Sequence, residues 1–105
     1  MTDTLTRLAA TIAARADDDP KASYTASLLA QGQAKCAEKF GEEAVEAVIA
    51  AATGDKPGLT AEAADVLYHL LVLLAATDVR FDEVLAELDR RDGVSGHVEK
   101  AGRKA

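Results

Sequence analysis

Nine consecutive residues, Val66 to Leu74, are apolar apart from the Tyr68 hydroxyl and the His69 imidazole, and this run constrains the chain more than any other feature. The surrounding periodicity predicts a helix from Thr60, the expected N-cap, to about Thr77. A helix apolar around most of its circumference must be covered from several sides. With 105 residues the chain has material for one domain and one core, and hardly enough to cover such a helix alone. A homodimer formed through this largely apolar helix is therefore expected. The run is no membrane span on this reading, since its longest uninterrupted apolar part, Leu70 to Ala76, falls far short of the ~20 residues that cross a bilayer.

The rest of the chain reads as helix too. Leu5, Leu8, Ala9, Ile12 and Ala13 recur at helical spacing up to about Ala16, where Asp17, Asp18, Asp19 and Pro20 stop the pattern. A short apolar piece around Leu28 and Leu29 is interrupted at Gly32. The pattern resumes from Gln33 to Thr53, with Gly54 as C-terminal cap and Asp55-Lys56-Pro57-Gly58 as a turn. Phe81, Val84, Leu85 and Leu88 mark a last helix ending near Arg90 and Arg91, before an Asp92-Gly93 turn. Abundant Ala, only two Tyr and two Phe, and no Trp favour closely packed helices over a sheet. The expected fold is all-α, a compact four- to five-helix bundle in one domain over residues 1–105, with 95–105 a small, basic, loose tail.

A formal charge of −6 speaks against a broad nucleic-acid or anionic-membrane surface, both of which need a basic footprint. An acidic protein with an anionic substrate needs a cation between them. Cys36 is the single cysteine, so neither an intrachain disulfide nor a thiolate zinc cluster is available. That usage, with no signal-type apolar run at the N-terminus, predicts a cytoplasmic protein.

At about 100° per residue, the helix from Gln33 gathers Lys35, Lys39, Glu42, Glu43 and Glu46 into one stripe. Apolar residues border it, with Cys36, Phe40, Ala44, Ala47 and Val48 on one side and Val45 and Ile49 on the other. Packing on both borders would leave the carboxylates in a groove. The next helix opens with Glu62 and Asp65, and the same face continues to His69. If the two helices pack antiparallel, Glu43, Glu46, Glu62 and Asp65 converge near one end of the bundle. Such a group repels itself unless protonated or bridged by cations. Oxygen donors favour Mg²⁺, with Mn²⁺ as a substitute.

A magnesium site with incomplete protein coordination leaves room for phosphate oxygens and water, as metal-assisted phosphoanhydride cleavage requires. Glu42, or one of the four ligands, would accept the water's proton, which makes Glu42, Glu43 and Glu46 the candidate catalytic residues. Lys35 and Lys39 are placed to meet phosphate oxygens as point charges. Tyr24, with Ser23 and Thr25, reads equally as the start of a helix or as a turn that touches substrate. Taken singly, acidic residues in a first helical turn serve the helix dipole, and a lone His in an apolar helix is more often a core residue than a ligand.

The two acidic pairs, separated by fifteen residues between Glu46 and Glu62, resemble the signature of the all-α nucleotide pyrophosphohydrolases. Ser23-Tyr24-Thr25, the run from Lys39 to Glu46, the run from Glu62 to Leu71 and the segment Ser95 to Ala101 are similar to the phosphoribosyl-ATP pyrophosphatases of histidine biosynthesis. Glu38 and Cys36 depart from that pattern, standing where a basic residue and a larger aliphatic are expected. The resemblance implies Mg²⁺-dependent hydrolysis of 1-(5-phosphoribosyl)-ATP to phosphoribosyl-AMP and pyrophosphate, in a helical dimer, with the acidic roles on Glu43, Glu46, Glu62, Asp65 and Glu42. Two other readings stand beside it: a housekeeping nucleoside triphosphate pyrophosphohydrolase, and a non-catalytic helical dimer that binds a protein partner.

Overall fold

The computed structural model describes residues 3–93, and the tail expected from Ser95 to Ala105 lies outside them. Five helices follow one another: α1 (Asp3–Arg15), α2 (Tyr24–Ala30), α3 (Gln33–Ala52), α4 (Lys56–Ala76) and α5 (Phe81–Arg91). No strand occurs among the described residues, so the all-α reading holds. Ile12 of α1, Leu28 of α2, Cys36 of α3, and Leu71 and Val72 of α4 form the core. Leu5, Leu8, Leu29, Tyr68 and Phe81 pack around it. Cys36 fills this core, its thiol donating to the Leu28 carbonyl at 3.3 Å and pushed to a higher pKa by burial.

Local chemistry explains each boundary. The Ser23 hydroxyl caps α2 by accepting from the Ala26 N–H at 3.1 Å. Gly32 separates α2 from α3 with a φ of +94°, a conformation that only glycine adopts without strain. At the end of α3 the Gly54 N–H reaches the Ala51 carbonyl at 3.2 Å and the Asp55 N–H reaches the Ala50 carbonyl at 3.0 Å, the paired bonds of a Schellman motif. The expected glycine cap is therefore present.

The start of α4 differs from expectation. Thr60 is not its N-cap; its hydroxyl donates back to the Lys56 carbonyl at 3.0 Å from inside the helix. Asp55 is the cap, its carboxylate accepting from the Gly58 N–H at 3.0 Å, and Lys56-Pro57-Gly58 forms the first turn. The helix tolerates Pro57 there because first-turn N–H groups have no intrahelical acceptor to lose. Only Thr53, Gly54 and Asp55 therefore join α3 to α4. So short a link folds the two helices into an antiparallel hairpin, and they pack along each other more extensively than any other pair.

Of the border of the α3 acidic stripe expected to pack, Cys36 is buried and Phe40, Ala44 and Ala47 are half-buried, whereas Val48, at its far edge, is exposed. The other border is open. Val45 and Ile49 stay 57% and 56% exposed, and Val48 next to them 65%, so within one protomer the carboxylates lie on a ledge walled on one side. Likewise α4 is long and apolar enough to cross a membrane by length and composition, with a mean hydropathy of 1.6 over its most apolar stretch, of which 17% is buried. That stretch is longer than the uninterrupted run Leu70 to Ala76. Glu62, Asp65 and His69 break it on the face of α4 that meets α3.

The last helix, α5, touches the rest of the protomer least and has no fully buried residue. Its own side chains hold it. The Glu83 carboxylate accepts from the Arg80 N–H at 2.9 Å at the N-terminus, and Glu87 takes hydrogen bonds from Arg90 and Arg91 near the other end. Those two guanidinium groups hold the Glu87 carboxyl down to about 2.

Candidate active site

The hairpin sets the register of the site. Glu46 lies six residues before the last residue of α3 and Glu62 six residues after the first of α4. Glu43 and Asp65 each lie nine from the same points, and Lys39 and His69 each thirteen. At ~1.5 Å rise per residue, the pairs sit at matching heights, ~9, ~14 and ~20 Å from the turn. The acidic group thus occupies the middle of the hairpin rather than the end of the bundle, because α4 begins four residues before Thr60.

Side-chain positions follow from this register. Carboxylate oxygens of Glu43, Glu62 and Asp65 all lie within 4.8 Å of one another. Glu46 stands beside them, close enough for its charge to act on both Glu43 and Glu62, though it is not part of that tight trio. Desolvation first, then the charges of Glu46, Asp65 and Glu62, push the Glu43 carboxyl above its ordinary range. Desolvation and the charges of Glu46 and Asp65 do the same to Glu62. The Glu62 Oε2 atom is enclosed and has no hydrogen-bond partner. An enclosed anionic oxygen without a donor is costly, and a cation is the natural partner.

These residues fit a hard divalent ion. Mg²⁺ holds oxygens at ~2.1 Å in an octahedron, which places them ~3 to ~4 Å from one another. The trio's oxygens, within 4.8 Å of one another, stand close to that spacing. All the donors are oxygens, and the only cysteine is buried in the core. That donor set suits Mg²⁺ or Mn²⁺ and leaves a thiophilic ion nothing to bind.

The proposed substrate contacts are sorted by the structure. Lys39 joins the group: it pairs with Glu42 at 3.2 Å, and that bond, with the charges of Glu42, Tyr24 and Glu43, raises its pKa. Lys35 pairs one turn earlier with Glu38 at 3.3 Å and is not brought to the carboxylates. Glu42 and Glu46, one turn apart, repel each other, and Lys39 relieves this on the Glu42 side. Glu38, one of the two residues that depart from the family pattern, is what occupies Lys35. Tyr24 is 58% exposed at the start of α2, its ring stacked 6.2 Å from Tyr68 and edge-on to His69. The helix-starting role falls to Ser23, which leaves Tyr24 facing the site.

Tyr68 and His69 also lie beside this group, with no site role assigned to them by sequence reasoning. The Thr25 hydroxyl meets the Tyr68 hydroxyl at 2.5 Å, fixing the Tyr68 ring. His69 is buried, 5.1 Å from the Tyr68 ring, with its Nδ1 enclosed and unpartnered. The Ser23-Tyr24-Thr25 motif signalled a local role, but a contact across 43 positions of sequence has no local signature.

Fold and site define a class: an all-α protein in which an antiparallel helical hairpin sets two carboxylate pairs level with each other. A profile of the phosphoribosyl-ATP pyrophosphohydrolase family matches residues 5–92. The chain is 69% identical to the phosphoribosyl-ATP pyrophosphatase of Dinoroseobacter shibae over 99 residues, covering 94% of this chain and 97% of that protein. It is 67% identical to the protein of that name from Rhodobacter capsulatus over 94% and 96%, and 61% identical to that from Rhizorhabdus wittichii over 98% and 97%. The chain belongs to the phosphoribosyl-ATP pyrophosphohydrolase family. The expectation of a phosphoanhydride hydrolase is borne out with the family.

Proposed function

We propose that this protein, a cytoplasmic homodimer, hydrolyses 1-(5-phosphoribosyl)-ATP to 1-(5-phosphoribosyl)-AMP and pyrophosphate in histidine biosynthesis, with Mg²⁺ held by Glu43, Glu46, Glu62 and Asp65. One observation carries the chemistry: three carboxylates converge within 4.8 Å, and one of them, Glu62, has an enclosed oxygen without a donor. The substrate is supported by the names of relatives that align over nearly their whole length. Support for the dimer comes from Val45, Val48 and Ile49, left exposed along the open border of the acidic ledge.

Bound Mg²⁺ supplies charge neutralisation for the triphosphate and a lowered pKa for a coordinated water. The chain's own side chains do the rest. Lys39, now paired with Glu42, exchanges that carboxylate for a phosphate oxygen when substrate arrives, because the pair is partly exposed and worth little in water. Glu42 is then free to accept the proton of the attacking water, with Glu43 or Glu46 in the same position to do so. Water adds across the anhydride that joins the α- and β-phosphates; the bond breaks and pyrophosphate leaves with its electron pair. Tyr24, beside Lys39 and exposed, offers a ring face to the nucleotide. Lys35, held by Glu38, contributes no direct phosphate contact in this reading.

The test is pyrophosphate release from phosphoribosyl-ATP with Mg²⁺, beside ATP and a deoxynucleoside triphosphate, each repeated with EDTA. EDTA-sensitive release from phosphoribosyl-ATP alone is expected. Release only from ordinary triphosphates would replace the substrate with that of a housekeeping hydrolase. No release from any would turn the reading toward a protein-binding helical dimer.

A further inference from the structure

We propose that Thr25 and Tyr68 are positioning residues for the nucleotide: their hydroxyl pair clasps α2 to α4 and so holds the Tyr24 ring where it receives the base. The proposal rests on the reading of this site as a nucleotide pyrophosphohydrolase centre. Thr25 behaves unlike most threonines of this chain. Thr11, Thr53, Thr60 and Thr77 return their hydroxyls to carbonyls four residues back, at 2.9 to 3.0 Å. The Thr25 hydroxyl reaches another helix instead, meeting the Tyr68 hydroxyl at 2.5 Å, and Thr25 is buried. Local back-bonding is the ready choice for a threonine on a helix, so a hydroxyl committed across elements fixes how they sit.

The short helix α2 needs such a tie. Its seven residues are too few to hold a helix by themselves, so packing decides where it lies. Leu28 in the core, with the Cys36 thiol on its carbonyl, secures the second half. The bond from Thr25 to Tyr68 secures the first turn, next to Tyr24. Tyr24 is 58% exposed, and its ring lies within 19° of parallel to that of Tyr68, with centroids 6.2 Å apart. The buried His69 meets both rings edge-on. Tyr68 precedes His69 and is therefore nearly level with Lys39 across the hairpin, and Tyr24 is near enough to Lys39 to act on its charge. An exposed ring beside the lysine that takes a phosphate oxygen is placed to stack on the base of the same nucleotide. Loosening the clasp would let Tyr24 drift while the carboxylates, on α3 and α4, stay in place. Nucleotide binding should therefore weaken and the chemical step be spared.

The test is steady-state pyrophosphate release by the full chain with Mg²⁺, from phosphoribosyl-ATP or, should only that be cleaved, from ATP. Wild type is compared with Thr25→Val, Thr25→Ser, Tyr68→Phe, Tyr24→Ala and the pair Tyr24→Ala with Thr25→Val, and Tm is measured for each. Thr25→Val and Tyr68→Phe should each raise KM about tenfold and leave kcat within about twofold. Thr25→Ser, which keeps the hydroxyl, should stay within about twofold of wild type in both. Tyr24→Ala should raise KM at least as far as Thr25→Val does. Adding Thr25→Val to it should raise KM no further, because the clasp acts through that ring. A bond with a merely structural role would lower Tm and leave KM unchanged, and that result overturns the proposal, as do additive effects of Tyr24→Ala and Thr25→Val. Should Thr25→Val fail to fold, Tyr68→Phe removes the same bond from the other side and decides. A wild-type chain that releases pyrophosphate from neither nucleotide overturns both the proposal and the reading beneath it.

Discussion

At the scale of the residue, desolvation first and then mutual repulsion raise the carboxyl pKa values of Glu43 and Glu62, which the hairpin holds beside Asp65. Removing one acidic member should ease the metal-free fold and empty the cation site together. Asp65→Ala and Glu46→Ala should each keep helicity and Tm yet lose pyrophosphate release by about two orders of magnitude or more. Full activity in either variant would sink the assignment of metal to these carboxylates. Desolvation and repulsion together predict a pH dependence. With native pKa values raised above 4.5, the folded state binds more protons than the unfolded state just above that value. Stability of the metal-free protein therefore falls as pH rises through that window. Tm measured in EDTA should decline from about pH 5 toward neutrality, and excess Mg²⁺ should restore it by binding the native state alone. A Tm in EDTA that is flat with pH and unmoved by Mg²⁺ would contradict the crowding inferred for Glu43 and Glu62.

At the scale of the element, the start of α4 decides where the site lies. Asp55 caps the helix through the Gly58 N–H, and a Cβ at position 58 would collide with the Asp55 carboxylate. Loss of such a cap costs ~1 kcal/mol. Gly→Ala inside a helix gains about the same by propensity. Gly58→Ala alone should therefore leave stability nearly unchanged, since the propensity gain is offset by expulsion of the cap. In an Asp55→Ala background, where no cap remains to lose, Gly58→Ala should stabilise by ~1 kcal/mol. Urea denaturation of the four proteins in this cycle measures the coupling, and additive effects would mean that the two positions do not compete for space.

At the scale of the whole molecule, the open side of the hairpin is the feature one protomer leaves unfinished. Val45, Val48 and Ile49 form an apolar border beside Glu42 and Glu46, and Leu67 of α4 is 42% exposed. Covering that border with a second copy would turn the ledge into a groove and exclude water from the carboxylates. Val48→Glu should shift the protein from dimer to monomer in analytical ultracentrifugation and weaken turnover, because an unpaired charge is costly in an apolar interface. A wild-type protein that sediments as a monomer at micromolar concentration would remove the dimer from the proposed function.

Local physics is legible in the sequence by itself. Helical periodicity locates four helices and marks a short apolar piece where α2 forms, Gly54 announces the end of α3 by its freedom to take a positive φ, and oxygen-rich acidic pairs point to a hard cation. The choice between Asp55 and Thr60 as the cap of α4 is not legible, because both are good capping residues and only the packed hairpin shows which N–H groups remain free. Nor is the neutralisation of Lys35 by Glu38 and of Glu42 by Lys39, since several partners stand at permitted helical spacing and tertiary packing selects among them. The match in height of Glu43 with Asp65 and of Glu46 with Glu62 follows once the link is three residues long. The bond from Thr25 to Tyr68 and the enclosure of His69 belong wholly to the tertiary structure. The first joins groups 43 positions apart, and the second exists only once neighbouring elements pack around the imidazole.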